Sequence, residues 1–126
     1  MLALRLLAGE LSILRLPPDA ATPAWLSFSS GPLVSVTRTV HELSIVCPSA
    51  MAPPGLECES GWTAFQVAGK LEFSATGILA SILNPLAEAG ISIFAISTFD
   101  TDYILVRTAM LATATEVLGK YFAIIA

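Results

Sequence analysis

Charge is what this sequence has least of. Only 13% of its 126 residues are Asp, Glu, Lys or Arg, against 55% hydrophobic ones, and the mean hydropathy is +0.77. That is too apolar for a disordered chain and unusually apolar for a soluble monomer, so part of the surface calls for a cover. The six Lys and Arg (Arg5, Arg15, Arg38, Lys70, Arg107 and Lys120) stand far apart, and the formal charge is −4. Without a basic patch to neutralise phosphates, nucleic acid is not an expected partner. Histidine occurs once, as His41 in a predicted turn, which gives neither a metal-ligand set nor a paired acid–base group. The two cysteines, Cys47 and Cys58, form no CxxC and have no histidine spacing around them. Cys47 is therefore expected to be reduced and buried on a strand.

Catalytic motifs are lacking too. There is no Gly-rich phosphate loop and no serine in a nucleophile elbow. Asp100 and Asp102 are the only close carboxylate pair, and turn formation accounts for Asp100. The sequence thus predicts no catalytic residues, no metal and no cofactor, and not an enzyme. A long apolar run, Phe73 to Phe99, carries the single charge Glu88 but is broken by Asn84-Pro85 and Gly90, and its second half is β-branched. That argues against a membrane-spanning helix. Gly9, Glu10 and Arg15 interrupt the N-terminal apolar stretch that a signal peptide needs, so the expected location is cytoplasmic.

What is present is patterned. Ala64 to Phe73 alternates, with Phe65, Val67, Leu71 and Phe73 on one face and Gln66, Lys70 and Glu72 on the other; Gly69 is a candidate bulge. Thr76 is positioned as an N-cap for a helix to about Ala89, whose polar stripe is Ser81, Asn84 and Glu88, with a kink at Pro85 and a C-cap at Gly90. Ile91 to Thr98 reads as a central strand, Asp100-Thr101 as a turn and Tyr103 to Thr108 as a further strand. Ala112 to Phe122 reads as a second helix with Val117, Leu118 and Tyr121 inward. In the first half, Leu2 to Leu16 is extended and bent near Gly9-Glu10. A short helical stretch is expected around Trp25, then strands at Leu33 to Thr37 and Glu42 to Cys47. An offset of sixty residues places Gly9 to Ile13 on Gly69 to Phe73 and Glu42 to Val46 on Asp102 to Val106, which suggests a tandem duplication whose first copy lost most of its helix.

Binding has better support than catalysis. Thr76-Gly77-Ile78 opens a helix directly after a strand, where free N–H groups and the helix dipole suit a carboxylate. Ser97, Thr98 and Asp100 to Asp102 supply oxygens for an ammonium or a polar side chain. The alternative is that Thr76 is only a cap and Gly77 only allows tight packing.

The stretch from Phe73 to Val106 resembles the ACT-domain superfamily. It carries Thr76-Gly77-Ile78 at the helix start, Pro85-Leu86-Ala87-Glu88-Ala89-Gly90-Ile91 at the helix end and Ser97-Thr98-Phe99-Asp100-Thr101-Asp102 at the turn. It is similar in particular to short bacterial ACT proteins related to the arginine-sensing CASTOR proteins of animals. Trp25, Ser35 to Thr39 and Glu42 to Pro48 resemble their first half. The resemblance implies an α+β, ferredoxin-like ACT fold with tandem βαββαβ-type modules, an antiparallel sheet and helices on one face. The modules would be 1–60, with a degenerate helix, and 61–126. It implies a regulatory, non-catalytic protein that binds a small-molecule amino acid between modules and associates as a homodimer. Gly77 and Ile78 would hold the ligand carboxylate through their amides, and Thr98, Phe99 and Asp102 would line its side-chain end; Thr76, Asp100 and Thr101 complete the candidate set. Two alternatives stand beside this reading: an interaction module that dimerises and binds no ligand, and a detached regulatory subunit of an amino-acid metabolic enzyme. The last strand of the second module is expected to be short or missing, and the Asp100–Asp102 turn is the only strong acidic anchor.

Overall fold

The computed structural model describes residues 2–69 and 76–126. The chain divides into two compact units, Ala8–Trp62 and Met1–Leu7 with Thr63–Ala126. Its strands are β1 (Ala3–Leu6), β2 (Leu11–Leu16), β3 (Ser35–Arg38), β4 (Leu43–Pro48), β5 (Glu57–Val67), β6 (Ile93–Ser97), β7 (Asp102–Arg107) and β8 (Ala123–Ile125). Its helices are α1 (Ile78–Glu88) and α2 (Leu111–Leu118), and Ser49–Met51 and Thr108–Met110 form 3-10 turns.

The C-terminal unit is an α+β fold of the ferredoxin-like kind, in which the second half of β5, then α1, β6, β7, α2 and β8 give the order βαββαβ. Its strands lie in the order β6-β7-β5-β1-β8. β1 pairs antiparallel with β5 (Leu4 opposite Val67) and parallel with β8 (Leu4 opposite Ile124). The closing strand is thus present, three residues long. Leu4, Phe65, Val67, Ile104 and Val106 turn one sheet face to Ile82 and Leu86 of α1 and Ala114 and Leu118 of α2, and all are buried. Both helices therefore cover the same face. Each of the Leu, Ile, Val and Phe side chains contributes about 1.5–3 kcal/mol of burial.

α1 follows its sequence signals. Ser81, Asn84 and Glu88 are exposed, as their spacing requires. It ends in a Schellman motif: Gly90, at φ 73, donates to the Ala87 carbonyl, and Ile91 donates to Leu86 at 2.9 Å. Ile91 and Leu86 then meet in the core, which fixes where the chain turns into β6.

Five expectations need correction. Thr76 is not the N-cap; that position is held by Gly77, with no side-chain hydrogen bond. Among the described residues β6 pairs only with β7, so it is an edge strand rather than a central one; an apolar β-branched run marks a strand without saying where it sits. Tyr121 is 57% exposed and Phe122 is buried instead, because α2 stops at Leu118 and the helical period does not reach 121. The segment around Trp25 forms only turns, with Leu26 N donating to the Pro23 carbonyl. β5 begins at Glu57, seven residues before the predicted strand, through exposed polar residues that show no alternation. The predicted continuation through Lys70, Leu71, Glu72 and Phe73 lies outside the described residues.

In the N-terminal unit the strand order is β3-β4-β2-β5, all antiparallel. β3-β4-β2 repeats the sequence of roles seen in β6-β7-β5. Among the described residues this unit contains no α-helix. Leu14, Leu26, Leu43, Ile45 and Cys47 form its core, packed by Ala20, Trp25 and Val34 from the β2–β3 connection and by Met51, Ala52 and Leu56 from the β4–β5 connection.

Candidate ligand site

Gly77 opens α1 in the left-handed region, φ 76 and ψ −1, which glycine adopts without strain. Ser81 N donates to its carbonyl at 2.9 Å, closing the first helical turn, and Ser81 Oγ donates to the Ile78 carbonyl at 2.6 Å. Helix geometry leaves the first-turn N–H groups without intrahelical acceptors. Among the described residues no side chain caps them, no acidic residue stands in the first turn, and nothing lies within 4 Å of where a Gly77 Cβ would be. Thr76 and Gly77 are exposed and Ile78 is half-buried.

Thr98 to Asp102 form a tight hairpin end between β6 and β7. Thr98 N donates to the Thr101 carbonyl at 2.8 Å, Thr98 Oγ1 donates to the same oxygen at 3.1 Å, and Thr101 N donates to Thr98 Oγ1 at 3.3 Å. Phe99 and Asp100 sit exposed at the tip, with Phe99 at 70%. Thr101 points inward, 5% exposed, and donates through Oγ1 to the Val67 carbonyl at 2.8 Å. Ser97 and Asp102 are cross-strand partners, and Ser97 Oγ donates to Asp102 Oδ1 at 2.5 Å.

Topology sets these two features at the same end of one sheet. The Thr101 bond fastens the hairpin to the C-terminal end of β5. β6 follows α1 by a short Ala89–Ser92 link, so the helix start and the end of β6 lie at the same, opposite end from that link. Of the predicted residues, Thr98, Phe99, Asp100, Thr101 and Asp102 are brought together in one turn, and Gly77 and Ile78 form a separate helix end with Thr76 beside it. Sequence reasoning missed Ser97 as the partner of the Asp102 carboxylate and Val67 as the anchor of Thr101. Hairpin pairing could have signalled Ser97, which faces Asp102 across a four-residue turn.

The same turn is built a second time. In the N-terminal unit Thr39 N donates to the Glu42 carbonyl at 2.9 Å, Glu42 N donates to Thr39 Oγ1 at 3.2 Å, and Val40 is exposed at the tip. Thr39-Val40-His41-Glu42 thus corresponds to Thr98-Phe99-Asp100-Thr101. His41 occupies this tip, exposed, with its carbonyl accepting from Arg15 at 3.1 Å. The correspondence extends past the next strand. Ser49 and Thr108 each follow an extended residue (Pro48, ψ 133; Arg107, ψ 132) and begin a 3-10 turn. Each shares a hydrogen bond with a hydroxyl on a neighbouring strand, Ser12–Ser49 at 2.7 Å and Thr63–Thr108 at 2.8 Å.

Among the described residues no group of three His, Cys, Asp or Glu could hold a metal ion, and no helix is long and apolar enough to cross a membrane. Both cysteines are free thiols; Cys47 is buried and Cys58 exposed. Burial pushes the Cys47 thiol pKa up, with a smaller contribution from Cys58.

Comparison with known proteins agrees with this architecture. Residues 57–120 match the family described as the ACT domain, and residues 9–54 match a family described as an N-terminal domain. A solved protein of Agobacterium tumefaciens is 38% identical over 98% of this chain and 92% of its own, with a TM-score of 0.91. A Vibrio cholerae protein, described as of unknown function and a possible transport protein, is 25% identical over 94% of this chain and 88% of its own, with a TM-score of 0.75. An aspartate kinase of Clostridium acetobutylicum shares the fold at 14% identity and a TM-score of 0.65, over 94% of this chain and 34% of its own. With its βαββαβ unit and the match over residues 57–120, the chain belongs to the ACT domain family.

Proposed function

We propose that this chain is a non-catalytic ACT sensor that binds a free amino acid at the end of its C-terminal sheet. The observation that carries this reading is the α1 N-terminus: Gly77 is left-handed and, among the described residues, no side chain or acid stands on the first-turn amides. Amide donors and the positive end of a helix dipole suit a carboxylate. The Thr98–Asp102 turn, at the same end of the sheet, offers oxygens to an ammonium group or a polar side chain. The ligand carboxylate is assigned to Gly77 and Ile78 with Thr76 beside it, and the side-chain end to Thr98, Phe99, Asp100, Thr101 and Asp102.

We read the two units as tandem copies, the first (1–60 by sequence) with its helices degenerate, as in bacterial relatives of the CASTOR proteins. Exposed Phe99, Met110, Tyr121 and Ile125 in the C-terminal unit support a homodimer. The location is cytoplasmic, and a metabolic enzyme regulated by the amino acid is the further partner. Thermal-shift screening against the twenty amino acids tests the reading, since a ligand that binds only the folded state raises the melting point. A flat response across all twenty contradicts it. That outcome favours the second reading, an interaction module that binds no ligand, for which the internally bonded Ser97–Asp102 pair is the supporting observation.

A further inference from the structure

We propose that residues 17–34 of the N-terminal unit are a strap, latched by Arg38, that opens locally and uncovers Cys47 while the sheet beneath stays folded. This inference is independent of the ligand reading.

The β2–β3 connection occupies the place in the repeat that α1 holds in the C-terminal unit. A helix there would carry its own ladder of backbone hydrogen bonds. Residues 17–34 instead form turns, such as Ala20 N to the Pro17 carbonyl and Leu26 N to the Pro23 carbonyl. The segment nevertheless covers the core: Leu26 and Leu33 are buried, and Leu26 packs in the cluster that holds Cys47 at 0% exposure.

Two fastenings hold it. On β3, the Arg38 guanidinium donates through one nitrogen to the Pro18 carbonyl and through the other to the Ala20 carbonyl, the latter at 2.5 Å. A guanidinium fork suits two carbonyls at once, which a lysine cannot match. At the far end Gly31, at φ +99, passes so close to Pro48 that a Cβ would stand 2.5 Å from its Cγ. A segment held by a few packed side chains and one exposed polar latch, with little backbone ladder, belongs to the class that opens without global unfolding. The four strands below keep their own ladders.

Cys47 supplies the readout. It is buried in the core that the strap and the β4–β5 connection cover together, whereas Cys58 is exposed and would react at once. In the full chain carrying Cys58→Ser, the rate at which a disulfide-exchange reagent labels Cys47 reports opening. Arg38→Gln should raise that rate by about ten-fold or more, the factor expected from lost hydrogen bonds to a charged donor, with little change in the urea unfolding midpoint. Arg38→Lys should fall between the two. Gly31→Ala, which wedges the other end, should also speed labelling. An unchanged rate in Arg38→Gln overturns the proposal. So does a rise matched by an equal loss of global stability, since Arg38 would then be an ordinary stabilising residue. If Arg38→Gln does not fold, the wild-type strap decides. Labelling at low urea should depend on denaturant less steeply than global unfolding does, because opening exposes less surface; an equal slope overturns the strap.

Discussion

Thr101 is where the candidate site is tied to the sheet, and Thr101→Val tests that tie. The substitution keeps the shape and replaces one hydroxyl with a methyl. It removes the donor to the Val67 carbonyl, 2.8 Å away at a position 5% exposed. A buried acceptor left without its donor costs about 1–3 kcal/mol. The new methyl returns less than about 1 kcal/mol, from roughly 30 Å² at about 25 cal/mol per Å². The net loss is about 0.3–2 kcal/mol, or roughly 1–8 °C in melting point for a chain of this size. Far-UV circular dichroism during thermal and urea unfolding reads it. The same variant should weaken amino-acid binding, because the turn that presents Asp102 loses its anchor on β5. No loss, or a gain, would show that the hydroxyl does not hold the turn and would refute the reasoning.

Gly77→Asn should keep the helix start, since Asn tolerates the left-handed conformation, and should abolish amino-acid binding in calorimetry by filling the space before the amides. Gly77→Val is a poorer probe than the sequence suggests: at φ 76 a β-branched residue is strained regardless of room, so its melting point should fall more than that of Gly77→Asn. Asp102→Asn should change which amino acid is preferred while leaving the carboxylate seat intact; equal losses for all would make Asp102 structural. His41→Ala should stay within about 0.5 kcal/mol of wild type, because its side chain is exposed at a turn tip. The raised Cys47 pKa adds a pH effect of definite sign. The folded state holds the thiol proton longer than the unfolded state, so stability is full below the ordinary thiol range, about 8.5, and falls as pH rises through it. Cys47→Ala should remove that alkaline slope in urea titrations from pH 7 to 10.

Much of the C-terminal unit is legible in the sequence because its signals are local. Helix periodicity from Ile78 to Glu88, the Gly90 stop and the β-branched runs of β6 and β7 each sit within a few residues. What is not legible depends on partners far along the chain. Nothing in Ala3–Leu6 says that it pairs with both β5 and β8, since that is decided by which sheet has a vacant neighbour position. The comparison of the two units illustrates the limit most clearly. The sixty-residue offset sets Leu43 on Tyr103, whereas the turn hydrogen bonds and the 3-10 starts place Leu43 on Asp102, one residue shorter. In a strand, one residue reverses the face. At the shorter offset buried Ile45, Val46 and Cys47 fall on buried Ile104, Leu105 and Val106. The first strand matches differently again, Leu11–Leu16 on Trp62–Val67 with Ser12 on Thr63, rather than on the Gly69 segment. Similar apolar strands align in several registers by letter; only burial and hydroxyl pairing choose among them. Within the candidate site, helix-start and turn residues are readable from type, but the Ser97–Asp102 and Thr101–Val67 bonds need the pairing register.

The central claim is that the amides at Gly77 and Ile78 hold a ligand carboxylate. The measurement that addresses it most directly is calorimetric titration of wild type and Gly77→Asn with the amino acid giving the largest thermal shift, alongside its carboxamide derivative. The account predicts saturable binding of the free acid to wild type, with neither the carboxamide nor the variant giving measurable heat. Equal binding of acid and carboxamide, or undiminished binding by a folded Gly77→Asn, would contradict it.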